Sequence, residues 1–478
     1  MSTSLLAPPE PVPGFGRALE TFRRAARQVP AYADFLARHG VDPAAVTTAE
    51  HFAALPPVTK ENYLHHYPLP MLLWRGDASR AGTWSCSSGS TGRPTYWPRD
   101  AVSQRQAVEL YGRILRESFQ AHRRKTLLVV GFAMGNWIGG TYTYSAALAL
   151  RRRGFPVSVI APGIEADTIL DNIAALGPQY EQVVLAGYPP FVKDVLDRAD
   201  DRVLGQNLGL LLAGESISEQ WRDYVLERLG RPGRTRSTCL IYGTADAGIM
   251  GHETRTTIAA RRAARSDARL NAELFGVDDA GPTFVEYDCD YRFTEVDAQD
   301  RFLFTVDTAI PLVRYRINDV GRVLTPARLA EVLQRSGYRL PVVTSTASCG
   351  FLALNRRADI AATFYAVKIF PDNIRAALED PAFAATVTGK FVLATETDNR
   401  FAQTLMLRVE LQPGARCGDG MVRRLRERVV AALVRTNHEY ARLHQSLGAA
   451  AEPTVSLHEF GSAGFGAGIK HQWMERAS

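Results

Sequence analysis

The sequence predicts an α/β protein: a large N-terminal multi-layer α/β domain with a barrel-like β section, then a small α+β C-terminal domain. Three observations predict it. Short β-branched or aliphatic runs alternate with helical segments between about 83 and 320, and the pattern then shifts to period-two alternation. A polar, charged stretch at 355-NRRAD-359 precedes a second set of strands and a long amphipathic helix.

Taken in order, the first 80 residues read as a helical lead-in, with segments 17–29 and 31–40, the second ending on a glycine suited to a helix C-terminus. Runs at 127–132, 157–162, 182–187, 209–215 and 238–243 read as short buried strands separated by helices such as 143–154 and 217–230. That alternation predicts a largely parallel sheet. In such sheets ligands sit where strand carboxyl ends open into loops. Segments 283–293 and 301–319 carry the period-two section that closes the large domain, 1–355. In the small domain, 356–478, strands are expected at 390–396 and 404–411. Val422, Leu425, Val429 and Leu433 form one apolar stripe on its long helix.

Composition excludes several classes. The 478 residues are 46% hydrophobic and 22% charged, ordinary for a globular chain. A net charge of +6 over this length is a mild preference for anionic ligands. The longest apolar stretch, 126–140, is shorter than the roughly 20 residues that span a bilayer. No membrane partner is expected. The start lacks a signal-peptide pattern, and the five cysteines show no paired metal or disulfide spacing, so a reducing cytoplasm is the natural setting. The Arg-rich stretch 252–269 lacks interspersed aromatics and reads as a solvated helix or loop, so no nucleic-acid partner is expected. Only Lys60, Lys125, Lys193, Lys368, Lys390 and Lys470 are lysines, which makes each worth following.

The most informative segment is 85-SCSSGSTGRPTYWP-98. Ser87, Ser88, Gly89, Ser90, Thr91 and Gly92 combine small side chains, hydroxyls and successive N–H groups, the composition of a phosphate cradle. A Ser/Gly linker has a similar composition, and a Walker A ending is missing. Cys86 beside it has no identifiable histidine partner and reads as a buried small residue rather than a nucleophile.

This segment resembles the [ST]SG[ST]TGxP loop of the adenylate-forming (acyl-CoA synthetase/ligase) superfamily, and the chain resembles its phenylacetate–coenzyme A ligase-like branch. Six further segments follow that family's order: 54-ALPPVTKENYLHHYP-68, 213-AGES-216, 242-YGTAD-246, 311-PLVRYRINDVG-321, 356-RRADIAATFYAVKIFP-371 and 468-GIKH-471. The resemblance implies an ATP- and Mg²⁺-dependent, AMP-forming ligase with coenzyme A as a possible co-substrate. It implies a mobile C-terminal lid hinged near Asp359 that brings Lys470 to the substrate oxyanion and α-phosphate. ATP would be held by the Ser87–Gly92 loop, Gly214, Glu215, Tyr242 stacking on adenine, Gly243, Thr244, Asp319 on the ribose and Arg357. Asp246 would hold the metal.

By themselves, aspartates after strands, as at 246 and 319, are often turn or cap residues. Four departures from the family pattern stand out. Asp246 replaces a Glu, Ala245 a hydroxyl residue, and Arg356 and Ala366 two hinge glycines, the last near the family's thiol path. Trp137, Tyr142, Tyr188 and Met250 follow strands where the family's acid pocket lies, and suit a planar aromatic acid or ordinary core. The expected substrate is a small acid or oxyanion, and the expected acceptor a thiol or an amine. The alternative is a tailoring enzyme that activates an acid for an amine, or nitrite for aryl amine diazotisation, without coenzyme A. Oligomeric state, monomer or homodimer, is left open.

Overall fold

The computed structural model describes residues 12–86, 95–136, 138–276, 282–346, 349–357, 362–364, 367–397, 403–415, 419–463 and 465. A hairpin of β1 (Thr83–Cys86) and β2 (Tyr96–Arg99) comes first, joined by the segment that holds the Ser/Gly run. The main sheet follows with β3 (Thr126–Gly131), β4 (Val157–Ile160), β5 (Gln182–Gly187), β6 (Leu208–Ala213), β7 (Thr238–Thr244), β8 (Gly248–His252), β9 (Thr283–Asp288), β10 (Phe293–Val296), β11 (Arg301–Val306), β12 (Leu312–Leu324) and β13 (Cys349–Arg357). Their spatial order is β10-β11-β12-β13-β9-β8-β7-β6-β5-β3-β4.

One half of this sheet, β4-β3-β5-β6-β7, is parallel. Its strands are apolar on both faces because helices cover both. Leu127, Val129, Val183, Leu185, Leu210 and Leu212 pack one way, against residues of helices Ala166–Leu176, Pro189–Arg198 and Glu219–Arg228. Leu128, Val130, Val184, Ala186 and Leu211 pack the other way, against helices Ala101–Glu117 and Ile138–Arg152. The pleat therefore sends alternate residues to two separate cores.

From β7 onward the pairing is antiparallel, so the period-two section continues the same sheet. The lead-in helices, Phe15–Gln28 and Pro30–Arg38, pack Phe22, Phe35 and Leu36 in one cluster with Phe302, Phe304 and Leu312. Strand β13 was not expected. It slots between β12 and β9, and it carries Asn355 to Arg357 of the stretch read as a polar passage.

A second apolar core is formed by residues between Ala362 and Leu457 alone. It gathers the pair β14 (Ala362–Phe364) and β15 (Val367–Ile369), the three-stranded sheet of β16 (Val387–Thr397), β17 (Gln403–Leu411) and β18 (Thr454–His458), and helix Asp419–Thr436. Leu425, Val429 and Leu433 are fully buried on that helix, and Val422 packs at the edge beside buried Met421. No helix among the described residues is long and apolar enough to cross a membrane.

The Arg-rich stretch corrects its sequence reading in part. Arg261, on helix Arg255–Arg265, is fully buried, pairing with Glu253 at 2.8 Å and donating to Ile217 O at 2.6 Å. Buried Arg222 shares Glu253 at 2.5 Å. Two arginines and one shared carboxylate thus brace the segment after β6 from beneath, a role that a solvated helix could not fill.

Candidate active site

The sites expected at 242–246 and 311–321 meet in space. Tyr242 Oη donates to Asp319 Oδ2 at 2.5 Å, and Tyr315 Oη donates to Asp246 Oδ2 at 2.6 Å. Each motif supplies one tyrosine and one aspartate. All four are buried, Asp246 at 6% and Asp319 at 5% exposure. β7 and β12 are four strand positions apart, roughly 19 Å in a flat sheet at about 4.8 Å per strand. Side chains span that gap only because the antiparallel half curls. Register shifts in β12 against β11 and β13 accompany the curl.

Burial, reinforced by Asp246, pushes the Tyr315 hydroxyl well above its usual range. Tyr315 therefore serves Asp246 as a proton-bearing donor across ordinary pH. Tyr242 is 4% exposed, so it presents its hydroxyl to Asp319 rather than an open ring face. The β12–β13 ladder sets Arg357 opposite Asp319, which makes these two expected nucleotide residues backbone neighbours.

The turn that carries Asp246 is built locally. Thr244 Oγ1 accepts the N–H of Ala247 at 3.0 Å, and Gly248 closes the turn at φ +77°, a conformation that side chains resist. Beyond it, Arg99 at the end of β2 donates to Ala245 O, and to Asp246 O at 3.5 Å. The Cys86 N–H donates to Asn136 O at 2.9 Å. The hairpin holding the Ser/Gly run is therefore fixed to the Asp246 turn at one end and to the chain after β3 at the other.

The expected acid-pocket residues are only partly gathered. Tyr188 packs edge-on to Phe132, with centroids 5.1 Å apart, and lies over Gly214, where a Cβ would come within 2.7 Å of its ring. Gly214, at φ +93°, is the residue type that both the backbone and the ring demand. Burial, then Glu215, pushes the Tyr188 hydroxyl up to about 12. Tyr142 donates to Ser103 O at 3.1 Å, and its ring is 5.7 Å from the Arg99 guanidinium carbon. Met250 is 1% exposed inside the cluster that holds Tyr242 and Tyr315.

The C-terminal core docks on the same loops. Arg375 donates to Ser216 O at 2.7 Å and Ser216 Oγ at 2.6 Å, Ser218 Oγ donates to Glu379 Oε2, and Gln220 Nε2 donates to Glu379 O at 2.6 Å. Lys390 pairs with Asp194 at 2.5 Å and with Glu410 at 3.6 Å. A cavity of about 600 Å³ opens along this seam, with Lys193, Glu215, Trp221, Arg375, Glu379 and Arg428 among its walls.

The Ser87–Gly92 loop, Trp137, Asp359, Ala366 and Lys470 lie outside the described residues. Sequence reasoning gave no role to Arg99, Tyr315 or Lys390. Tyr315 stood inside a quoted motif, and Lys390 was marked only by the scarcity of lysine. Among the described residues no three His, Cys, Asp or Glu side chains converge as a metal cluster. A single carboxylate at Asp246 suits Mg²⁺, which is commonly held by one or two carboxylates together with substrate phosphates.

No sequence-family profile matches the chain. No curated protein matches it either. Solved structures do. A 2-hydroxyisobutyryl-CoA ligase in the postadenylation state, in complex with 2-HIB-AMP, superposes with a TM-score of 0.66 at 15% identity, over 100% of this chain and 95% of that one. The same enzyme in an open conformation with 2-HIB-AMP and CoA gives 0.53, over 100% and 97%. In its thioesterification state it gives 0.52, over 99% and 94%. Both identities are again 15%. The shared feature is the fold.

Proposed function

We propose that this chain is an ATP-dependent, AMP-forming ligase of the adenylate-forming superfamily that activates a small carboxylic acid. The observation that carries the reading is the reciprocal pairing of Tyr242 with Asp319 and of Tyr315 with Asp246. It joins two buried carboxylates, Asp319 within β12 and Asp246 in the turn after β7, each to the tyrosine of the other motif, which supports reading one as a ribose acceptor and the other as a metal ligand.

In this reading a carboxylate oxygen attacks the α-phosphorus of ATP, pyrophosphate leaves, and an acyl-AMP forms. Two anions must approach, so the chain's task is to place positive charge and donors. Ser87 to Gly92 cradle the β- and γ-phosphates, Asp319 accepts the ribose hydroxyls with Tyr242 holding it, and Arg357 steadies ribose or phosphate. Lys470 bridges the acid and the α-phosphate. Asp246 would hold Mg²⁺, which would neutralise charge that builds on the phosphates. The nucleotide and acid domain, expected over 1–355, runs on through β13 to Arg357, which pairs with Asp319 in the main sheet. The rest of the unit expected over 356–478 forms a lid hinged near Asp359, and the polar contacts at Ser216, Ser218 and Asp194 suit a surface that docks and releases.

The finer reading is the phenylacetate–coenzyme A ligase-like branch, an aromatic acid lying against Tyr188 and Phe132, and coenzyme A as acceptor. Ala366 and Arg356, in place of two hinge glycines, favour a second reading in which an amine, or nitrite activation for an aryl amine, replaces the thiol step.

The test is AMP and pyrophosphate release from Mg·ATP across aromatic, aminobenzoate and 2-hydroxy acids and nitrite, each with coenzyme A, with an amine, or alone, with products identified by mass. AMP with a thioester supports the first acceptor, and AMP without coenzyme A dependence supports the second. ATP binding with no AMP under any condition would replace both with a silent nucleotide-binding protein. Lys470→Ala should lower turnover far more than ATP affinity.

A further inference from the structure

Buried arginines in this chain come in two kinds. Arg222 and Arg261 share Glu253, so their charge is met by a carboxylate at hydrogen-bond distance. Arg99 is 3% exposed and forms no ion pair within 4.0 Å among the described residues. Its partners are the backbone carbonyls of Ala245 and Asp246, and its Nε is buried without a partner. Burying a guanidinium without a direct counterion is costly. Burial draws its pKa down, while the field of Tyr142, then of Asp246 and Asp100, opposes the fall.

We propose that Arg99 is a positioning residue: it clamps the turn carrying Asp246 to the end of the β1–β2 hairpin, and so fixes where the metal carboxylate sits. The inference rests on the reading of Asp246 as the metal ligand.

Three features support it. The hairpin register pairs Thr83 with Arg99 and Ser85 with Trp97, and Ser85, Trp97 and Arg99 are all buried on that inward side. The two carbonyls belong to adjacent residues, so one planar fork can grip both sides of the Asp246 peptide, which the point charge of a lysine cannot do. Position 245 is alanine, so the anchor that this turn offers Arg99 is main chain rather than a hydroxyl.

The test compares wild type, Arg99→Gln, Arg99→Lys, Asp246→Asn and the Arg99→Gln/Asp246→Asn double variant, reading the Mg²⁺ concentration for half-maximal AMP release alongside thermal unfolding. Arg99→Gln should raise the half-saturating Mg²⁺ at least about tenfold, and should add less than about twofold in the Asp246→Asn background. Arg99→Lys should resemble Gln rather than wild type, and it supplies the comparison if Arg99→Gln does not fold. Folded Arg99 variants with wild-type Mg²⁺ dependence, or equal effects in both backgrounds, would overturn the clamp. An Asp246→Asn enzyme with unchanged Mg²⁺ dependence would instead overturn the metal assignment on which it rests.

Discussion

Tyr315 donates its hydroxyl proton to Asp246 across 2.6 Å, from β12, four strand positions from β7, the strand that leads into Asp246. The contact runs between two segments 69 residues apart in sequence, and both partners are buried. One carboxylate oxygen is thereby fixed, which orients the group toward whatever its other oxygen faces. Removing a hydrogen bond to a charged, buried group costs about 1.5–3 kcal/mol, roughly a ten- to hundredfold change in an equilibrium or rate.

Tyr315→Phe is therefore expected to lower the rate of AMP release about ten- to hundredfold and to raise the Mg²⁺ requirement, while the phenyl ring keeps the packing. Steady-state AMP release over a Mg²⁺ titration measures both. An unchanged rate in a folded variant would show that Asp246 takes no part in the reaction.

Sequence legibility followed the physics of each element. β5 was read at Gln182–Gly187 from side chains alone, because a strand covered on both faces is a continuous apolar run. β13 was missed because 349-CGFLALNRR-357 ends in Asn and two Arg, and its reason for being a strand is the empty place between β12 and β9. The Tyr–Asp pairs lie within motifs already quoted, but their pairing depends on the curl of the sheet. Arg99 left no signal, since its partners are carbonyls 146 and 147 positions away and every residue has a carbonyl.

The seam between the two cores should tighten in mild acid. Burial raises the Glu379 carboxyl above its usual value; Arg375 and Ser218 oppose this, and Asp372 adds to it. A raised carboxylate penalises the docked state while ionised. That penalty is present above the raised pKa and relieved as pH falls through it toward the ordinary value. Protease resistance of the C-terminal core should rise over that interval in the wild type, and Glu379→Gln should flatten the rise. A Glu379→Gln profile that keeps the full wild-type slope would place the titration elsewhere.

Thiol chemistry should single out one described cysteine. Burial pushes Cys239 and Cys349 up to about 12 and Cys289 to about 11, which leaves little thiolate at pH 8, while Cys86 is half-buried on the hairpin. In a Cys417→Ser background, alkylation at pH 8 followed by peptide mapping should modify Cys86 well ahead of the other three. Equal labelling of Cys239 would mean that the parallel sheet opens far more readily than its packing implies.

Lys390 answers two carboxylates, and the two are not equivalent. Glu410 is fully buried and already accepts from Thr388 Oγ1 at 2.9 Å and from the Gly461 N–H at 3.0 Å, both within its own core. Asp194 belongs to helix Pro189–Arg198 across the seam, and burial holds its carboxyl above the usual range despite Lys390 and Lys193. Lys390→Met leaves both carboxylates without their cation and should cost about 3–5 kcal/mol, the usual penalty for breaking a buried pair from one side. Asp194→Asn leaves Lys390 with Glu410 at 3.6 Å and should cost markedly less. Denaturant unfolding of the two variants measures the difference. The ordering matters more than the sizes: Lys390 keeps a partner when the C-terminal core moves away and Asp194 gains water, so the pair can part without stranding a buried charge. Equal losses in the two variants would show that Glu410 does not hold Lys390, and the seam could not then release at low cost.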